Sequence, residues 1–305
     1  MFGAFKHLSG ILIAIIANAT IGVSLVWDKI LLRKPETRNL ASYVFWLGVM
    51  SVLGLALIPF GFKPPSAAMA WLGFGSGVIH LGANWFYYRA LKYGEASQSL
   101  AIVGGFAPLA TVLIAIVLLS SPARPGERVA FVLMVLGGFV MFLSEKLNLR
   151  QVLPSVLWAA GLFGFTNVLQ KLVFNATGFV TGYVLFTLGT FAGAMALLLR
   201  PVWRRQIVRH SEEASSSSKL WYFVNRFVSG VGSFLVFLAI SRAHPAIVDA
   251  ISGLRYAVIF LGAYLLTRFK PGVLRENFGR SALIGKSIAT ALVVAGLAVL
   301  AAADP

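Results

Sequence analysis

Apolar residues run unbroken along this chain for about twenty positions at a time, then give way to short clusters of lysine, arginine and proline. A helix needs about 17 to 25 such positions to cross the hydrocarbon core of a bilayer. Four stretches reach that length with no charge inside: Leu40–Phe60, Ala67–Tyr88, Ser97–Leu119 and Phe179–Leu199. Six more carry a charge at or inside an end, or run short: Leu8–Leu32, Val129–Ser144, Val152–Phe174, Trp221–Ile240, Ala246–Thr267 and Leu283–Ala303. The pattern predicts an all-α polytopic membrane protein with ten transmembrane helices. Barrel strands would alternate apolar and polar positions over roughly ten residues, which these runs do not, and a helix satisfies its own backbone groups where lipid offers no partner. The first stretch exceeds the apolar core of a secretory leader and lacks a small-residue cleavage site, so it reads as a helix that is retained.

Composition agrees with that pattern. The chain is 58% hydrophobic and 12% charged, whereas a soluble domain is about half apolar and a quarter charged. There is no cysteine, which excludes disulfides and thiolate metal sites, and nothing in the sequence calls for a cofactor. A net charge of +16 would suit nucleic acid only on the basic face of a soluble module. Here the charges sit between spans, so the expected partners are a small-molecule solute and membrane lipids, with no nucleic acid and a monomer sufficing. Of 26 lysines and arginines, seventeen follow odd-numbered spans, while six lie at the amino terminus or in the other connections. Cytoplasmic loops collect these residues. The bias predicts both termini outside a prokaryotic cytoplasmic (inner) membrane, with "RPVWRRQIVRHSEEASSSSK" and "RFKPGVLRENFGR" inside and the serine run acting as a flexible linker.

The chain also resembles itself. "ALKYGEASQSLAIVGGFAPLATVLIAIVLL" from Ala90 aligns with "AISRAHPAIVDAISGLRYAVIFLGAYLLTR" from Ala239, and "GVSLVWDKILL" from Gly22 aligns with "GFTNVLQKLVF" from Gly164, which sets Lys29 over Lys171. A repeat of five spans is odd in number, so the second copy must cross the membrane in the opposite sense. The halves are 8–146 and 152–303. With "YYRALKYGEAS", the span after it and "GERVAFVLMVLGGFVMFL", this arrangement resembles the EamA-type carriers of the drug/metabolite transporter superfamily. The resemblance implies a 5+5 inverted repeat, a central cavity lined by the first, third and fourth helices of each half, and alternating access for a small solute. It also implies cytoplasmic termini, against the charge count.

Polar groups inside apolar spans mark the candidate site. Arg255 follows Ala246 by nine residues, roughly 13 Å along a helix, which is close to the bilayer midplane. An ionised group there costs from about 3 to above 10 kcal/mol unless it meets water or a partner. It is either a substrate contact or a structural tie to carbonyls of neighbouring helices. Asp249 lies about 240° around the helix from Arg255 and shares its face with Ser252 and Tyr256; it reads as a cap or a group at the cavity mouth. His80, Asn84, Tyr87 and Tyr88 form one polar stripe, serving either substrate or helix packing. Thr20, Ser24 and Trp27 share a face of the first span, and its repeat supplies Thr166, Asn167 and Gln170; cavity lining and packing are both open to them. Lys29 and Lys171 end their spans and suit snorkelling, or a gating or ion-pairing role. Asp28 is expected to pair locally with Lys29, and Asn225 with Arg226 to lie at the interface. The recurring glycines suit close helix packing.

These residues predict a secondary carrier, in the exporting direction, of an anionic or zwitterionic organic metabolite. A cation exporter would want a carboxylate deep in the bilayer, whereas the acids here lie in loops or near span ends. Two other readings stand beside it: a flippase for a lipid-linked sugar, with basic loops near anionic headgroups, and a membrane scaffold without transport. An enzyme is not expected, because the four histidines are scattered at positions 7, 80, 210 and 244 and no acid–base cluster converges.

Overall fold

A computed structural model describes residues 2–31, 39–93, 96–119, 125–143, 149–213, 215–269 and 280–302. Among these the protein is all-helical. In chain order the helices are α1 (Phe2–Leu31), α2 (Leu40–Met50) continued by a 3-10 segment (Ser51–Phe60), α3 (Ala67–Tyr93), α4 (Ala96–Leu119), α5 (Pro125–Leu143), α6 (Leu149–Thr177), α7 (Phe179–Leu197), α8 (Pro201–Glu213), α9 (Ser216–Arg242), α10 (Pro245–Ile251), α11 (Leu254–Phe269) and α12 (Arg280–Ala302). Among the described residues five stretches are long and apolar enough to cross a membrane: Gly10–Asp28, Leu40–Phe60, Val152–Thr177, Phe179–Leu197 and Ser216–Arg242.

Local signals explain where these helices start. The Asn39 side chain accepts from Ser42 N at 3.0 Å at the start of α2, satisfying one orphan donor of the first turn. Ser215 does the same for α9, accepting from Ser218 N at 3.2 Å. The serine run expected as a linker therefore forms a cap and the first helical turn, because a hydroxyl beside an exposed helix end has donors to bind. Ahead of it, the basic loop expected after the seventh span contains α8. Between α6 and α7 stands one residue, Gly178, at φ 81°, a positive-φ conformation that glycine adopts without steric cost.

Two expected spans differ in form. The span Ala246–Thr267 is broken: α10 ends at Ile251 and α11 begins at Leu254, with Ser252 and Gly253 making the turn between them. Ser252 N donates to Asp249 O at 3.0 Å and Arg255 N to Ser252 O at 3.0 Å, so most of the freed backbone is re-satisfied locally, as a break inside a membrane requires. Leu40–Phe60 changes from α to 3-10 geometry at Ser51. The connection expected after Thr267 falls on residues 270–279, outside the described residues.

The packing is inside-out relative to a soluble protein. Leu113, Val117, Trp71 and Phe60 lie on the outer surface, while Asn18, Asp28, Thr111, Gln170, Arg226 and Asp249 are buried. Lipid outside tolerates the first set; only protein or enclosed water tolerates the second. α1 packs along α9, α3 along α6 and α7, α4 along α6, and α5 along α12. The α3–α7 seam is the tightest. A Cβ on Gly77 would collide with Phe186 O, and one on Gly189 with Phe74 O, so bare backbones meet there and exclude everything between them.

Candidate functional site

The buried polar groups surround two adjoining cavities. The larger, about 360 Å³, lies between α2 with its 3-10 continuation, α3, α7 and α9. The smaller, about 120 Å³, is bounded by α1, α3, α4, α6, α9 and the α10–α11 break. Five residues line both: His80, Asn84 and Tyr88 on α3, and Ser229 and Ser233 on α9. Spacings of four place each set on one helical face.

Opposite charges share the wall of the smaller cavity. Asp249 on α10 accepts from Thr111 Oγ1 of α4 and, at 2.7 Å, from Asn167 Nδ2 of α6. Arg255, in the first turn of α11, donates through Nε to Asn18 Oδ1 of α1 at 2.6 Å, and Asn18 Nδ2 donates to Ala14 O at 2.7 Å. The break at Ser252 brings the amino-terminal end of α11 to the cavity wall. That end carries partial positive charge from its aligned peptide dipoles, beside the guanidinium.

A charged cluster closes the larger cavity at one end. Arg226 of α9 forms a buried ion pair with Asp28 of α1. Asp28 also accepts from Tyr43 OH at 2.5 Å, Asn225 Nδ2 at 2.5 Å and Tyr88 OH at 3.4 Å. Arg226 NH1 donates to Tyr88 OH at 2.6 Å, and the rings of Tyr43, Tyr88 and Tyr222 lie 5.1, 5.6 and 5.7 Å from the guanidinium carbon. Tyr222 OH ties the cluster to α2 through Tyr43 O at 2.7 Å. Two lining residues keep a buried polar atom without a partner, Arg226 at Nε and His80 at Nδ1. Aromatic edges surround the imidazole, with Phe186, Phe163 and Phe237 at 5.0, 5.4 and 5.7 Å.

The sequence candidates sort by position. Arg255, Asn84, His80, Tyr88, Asn167, Ser252 and Asp249 line the cavities. Thr20, Ser24 and Trp27 do not: Thr20 Oγ1 donates to Ile16 O at 2.9 Å, Ser24 Oγ to Asn225 O at 3.4 Å, and Trp27 packs on Trp221 at the surface. Helical spacing gives them a common face, but α9 covers part of it and the rest turns outward. Lys171 donates to Ser241 O at 3.2 Å, tying α6 to α9. The side chains of Lys29 and Tyr256 lie outside the described residues. Asp249 does not cap its helix; His244 Nδ1 takes that place, accepting from Ala246 N at 3.3 Å. Asp28 finds its ion pair in Arg226 on another helix, and neither Asn225 nor Arg226 is interfacial, since both are buried. Arg226, Tyr43, Tyr222, Ser229 and Ser233 are the residues that sequence reasoning missed. An acid ending one span and a base inside another were the available signal. Among the described residues, no group of three or more acids and histidines could hold a metal ion.

Residues 8–143 match the model of the EamA-like transporter family. This stretch is similar to EamA-like transporters. That similarity, together with the long apolar helices, marks an integral membrane protein. A solved crystal structure, 19% identical, superposes on it with a TM-score of 0.64 and covers 97% of this chain and 96% of that one, which shows a common fold over the whole length. No curated protein matches.

Proposed function

We propose that the protein carries a small anionic or zwitterionic organic metabolite by alternating access, using ten spans arranged as two inverted halves of five. The observation that carries this reading is that Arg255 and Asp249 both line one cavity among the helices. A carboxylate on the solute would meet Arg255 and the start of α11, and an ammonium group would meet Asp249, whose oxygens retain accepting capacity beyond the bonds from Thr111 and Asn167. Broken helices whose ends face a midplane cavity are a recurring device for binding charged solutes.

The contacts support the halves. α1 lies on α9 and α11, while α3 and α4 both lie on α6, which are matched pairs if α6–α12 repeat α1–α5 with α8 inserted. The smaller cavity draws on the first, third and fourth helix of each half. At about 360 and 120 Å³, the two lobes reach the range of small-molecule pockets.

A thermal-shift screen of the purified protein against metabolite pools identifies the solute, because a ligand at 100 times its Kd stabilises the folded form by about 2.7 kcal/mol. In proteoliposomes loaded with that solute, Arg255→Gln abolishes counterflow while the melting profile keeps its shape. Unchanged uptake with intact selectivity defeats the assignment.

A further inference from the structure

We propose that the larger cavity opens sideways into the bilayer between the 3-10 segment and α9, and that this opening admits the single hydrocarbon chain of an amphipathic solute whose polar head lies deeper inside. The inference rests on the carrier reading above and names the class of its cargo more closely.

The opening is formed by residues that line the cavity and also face outward. Leu53 of the 3-10 segment and Phe227 and Val231 of α9 are 55%, 57% and 42% exposed, yet all three belong to the cavity wall. Leu53 lies well inside the apolar stretch Leu40–Phe60, and Phe227 and Val231 near the middle of Ser216–Arg242, so a bilayer crossed by these stretches would set all three in its hydrocarbon core. Water and a free polar solute have no favourable route across such a surface; an alkyl chain does.

Helix contacts explain why the seam is open. α2 and α9 meet toward the Asp28–Arg226 end, where Tyr43 packs on Tyr222 at 4.9 Å and Trp46 on Phe223 at 5.6 Å. Beyond Ser51 the chain turns to 3-10 geometry, leans on α7 and buries none of its ten residues. Gly230 sits in this gap, and a Cβ there would meet nothing within 4 Å. The α3–α7 seam makes the contrast, closed by the glycine contacts at Gly77 and Gly189. The α9 side of the 3-10 segment is open where the α3–α7 seam is closed.

The wall carries both apolar and polar groups. Leu53, Phe227 and Val231 share the wall with Ser229, Ser233 and Asn84, and His80 and Arg226 belong to it as well. The serine hydroxyls and the Asn84 amide supply donors and acceptors for a polar head group. Chain outward and head inward is the orientation that satisfies both ends.

The test uses the full chain in nanodiscs and two dodecyl probes with a diazirine near the chain end, one an N-acylglycine and one a sulfobetaine. At least one probe is expected to crosslink to residues 52–57 and 227–231, with labelling displaced by excess unlabelled probe. Gly230→Trp, for which the structure has room, should cut that labelling at least tenfold while the protein keeps its melting profile. Labelling that is spread evenly over lipid-facing helices for both probes, or that Gly230→Trp leaves unchanged, overturns the portal. Arg255→Gln separates the two ideas. Seam labelling lost only in Gly230→Trp, with transport indifferent to Arg255→Gln, sinks the pocket assignment and leaves the portal standing; transport abolished by Arg255→Gln without seam labelling sinks the portal alone.

Discussion

Replacing Asp28 by Asn removes one charge from a site where neither partner reaches water, and the structure sets the size of the effect. The carboxylate accepts from Tyr43, Asn225, Tyr88 and Arg226, so the amide would lose the ionic contribution of all four bonds and turn a donor toward at least one of them. Breaking a buried ion pair by deleting one partner costs about 3 to 5 kcal/mol, because the remaining charge is left uncompensated. Here the guanidinium keeps Tyr88 OH at 2.6 Å and the faces of three tyrosines. Each cation–π contact is worth about 0.5 to 2 kcal/mol, which places the loss near the lower end, about 3 kcal/mol.

Removing both charges gives the opposite expectation. Asp28→Asn with Arg226→Met leaves no orphaned charge, and hydrophobic replacement of buried pairs is often neutral or stabilising. The double variant should therefore recover at least about 2 kcal/mol of the single variant's loss, a coupling far outside the additivity expected of independent sites. Unfolding of purified protein by SDS titration in mixed micelles, followed by tryptophan fluorescence, measures all four corners of the cycle. A single-variant loss below about 0.5 kcal/mol, or simple additivity, would show that the pair is not desolvated as argued.

The tight seam offers a second measurement. Gly189→Ala should destabilise by about 2 to 3 kcal/mol, since its Cβ collides with Phe74 O and the backbones must part. Gly230→Ala, with open space around it, should be neutral or up to about 1 kcal/mol stabilising through helix propensity; equal effects refute the contact. For orientation, the charge bias puts Ser216 inside and Ser66 outside. An impermeant thiol reagent on intact cells should label Ser66→Cys and spare Ser216→Cys, and the reverse pattern inverts the topology.

The helical membrane architecture was legible because a bilayer demands long, mainly apolar runs. Arg255, Asn84 and Asn167 were legible for the complementary reason: a polar group within such a run needs a wet or polar surround, and the cavities and their polar neighbours supply one. Pairing was not legible. Asp28 stands next to Lys29 in the chain, and only the packing of α1 on α9 brings Arg226 to it. Thr20 and Trp27 illustrate the same gap, since spacing assigns residues to a common face without saying which neighbour covers it. The break at Ser252–Gly253 had a local cue, a Ser-Gly turn dipeptide, overshadowed by the apolar residues on both sides. Likewise the serines before α9 carry two readings, linker and cap, and only the helix behind them decides.

Ser229 and Ser233 stand one turn apart on α9 and border both cavities, so they act as the partition between two rooms. One substitution there would change the shape of both at once, without touching the lipid-facing shell or the glycine seam. For the carrier proposed above, admitting bulkier or slimmer cargo is then a matter of these two positions.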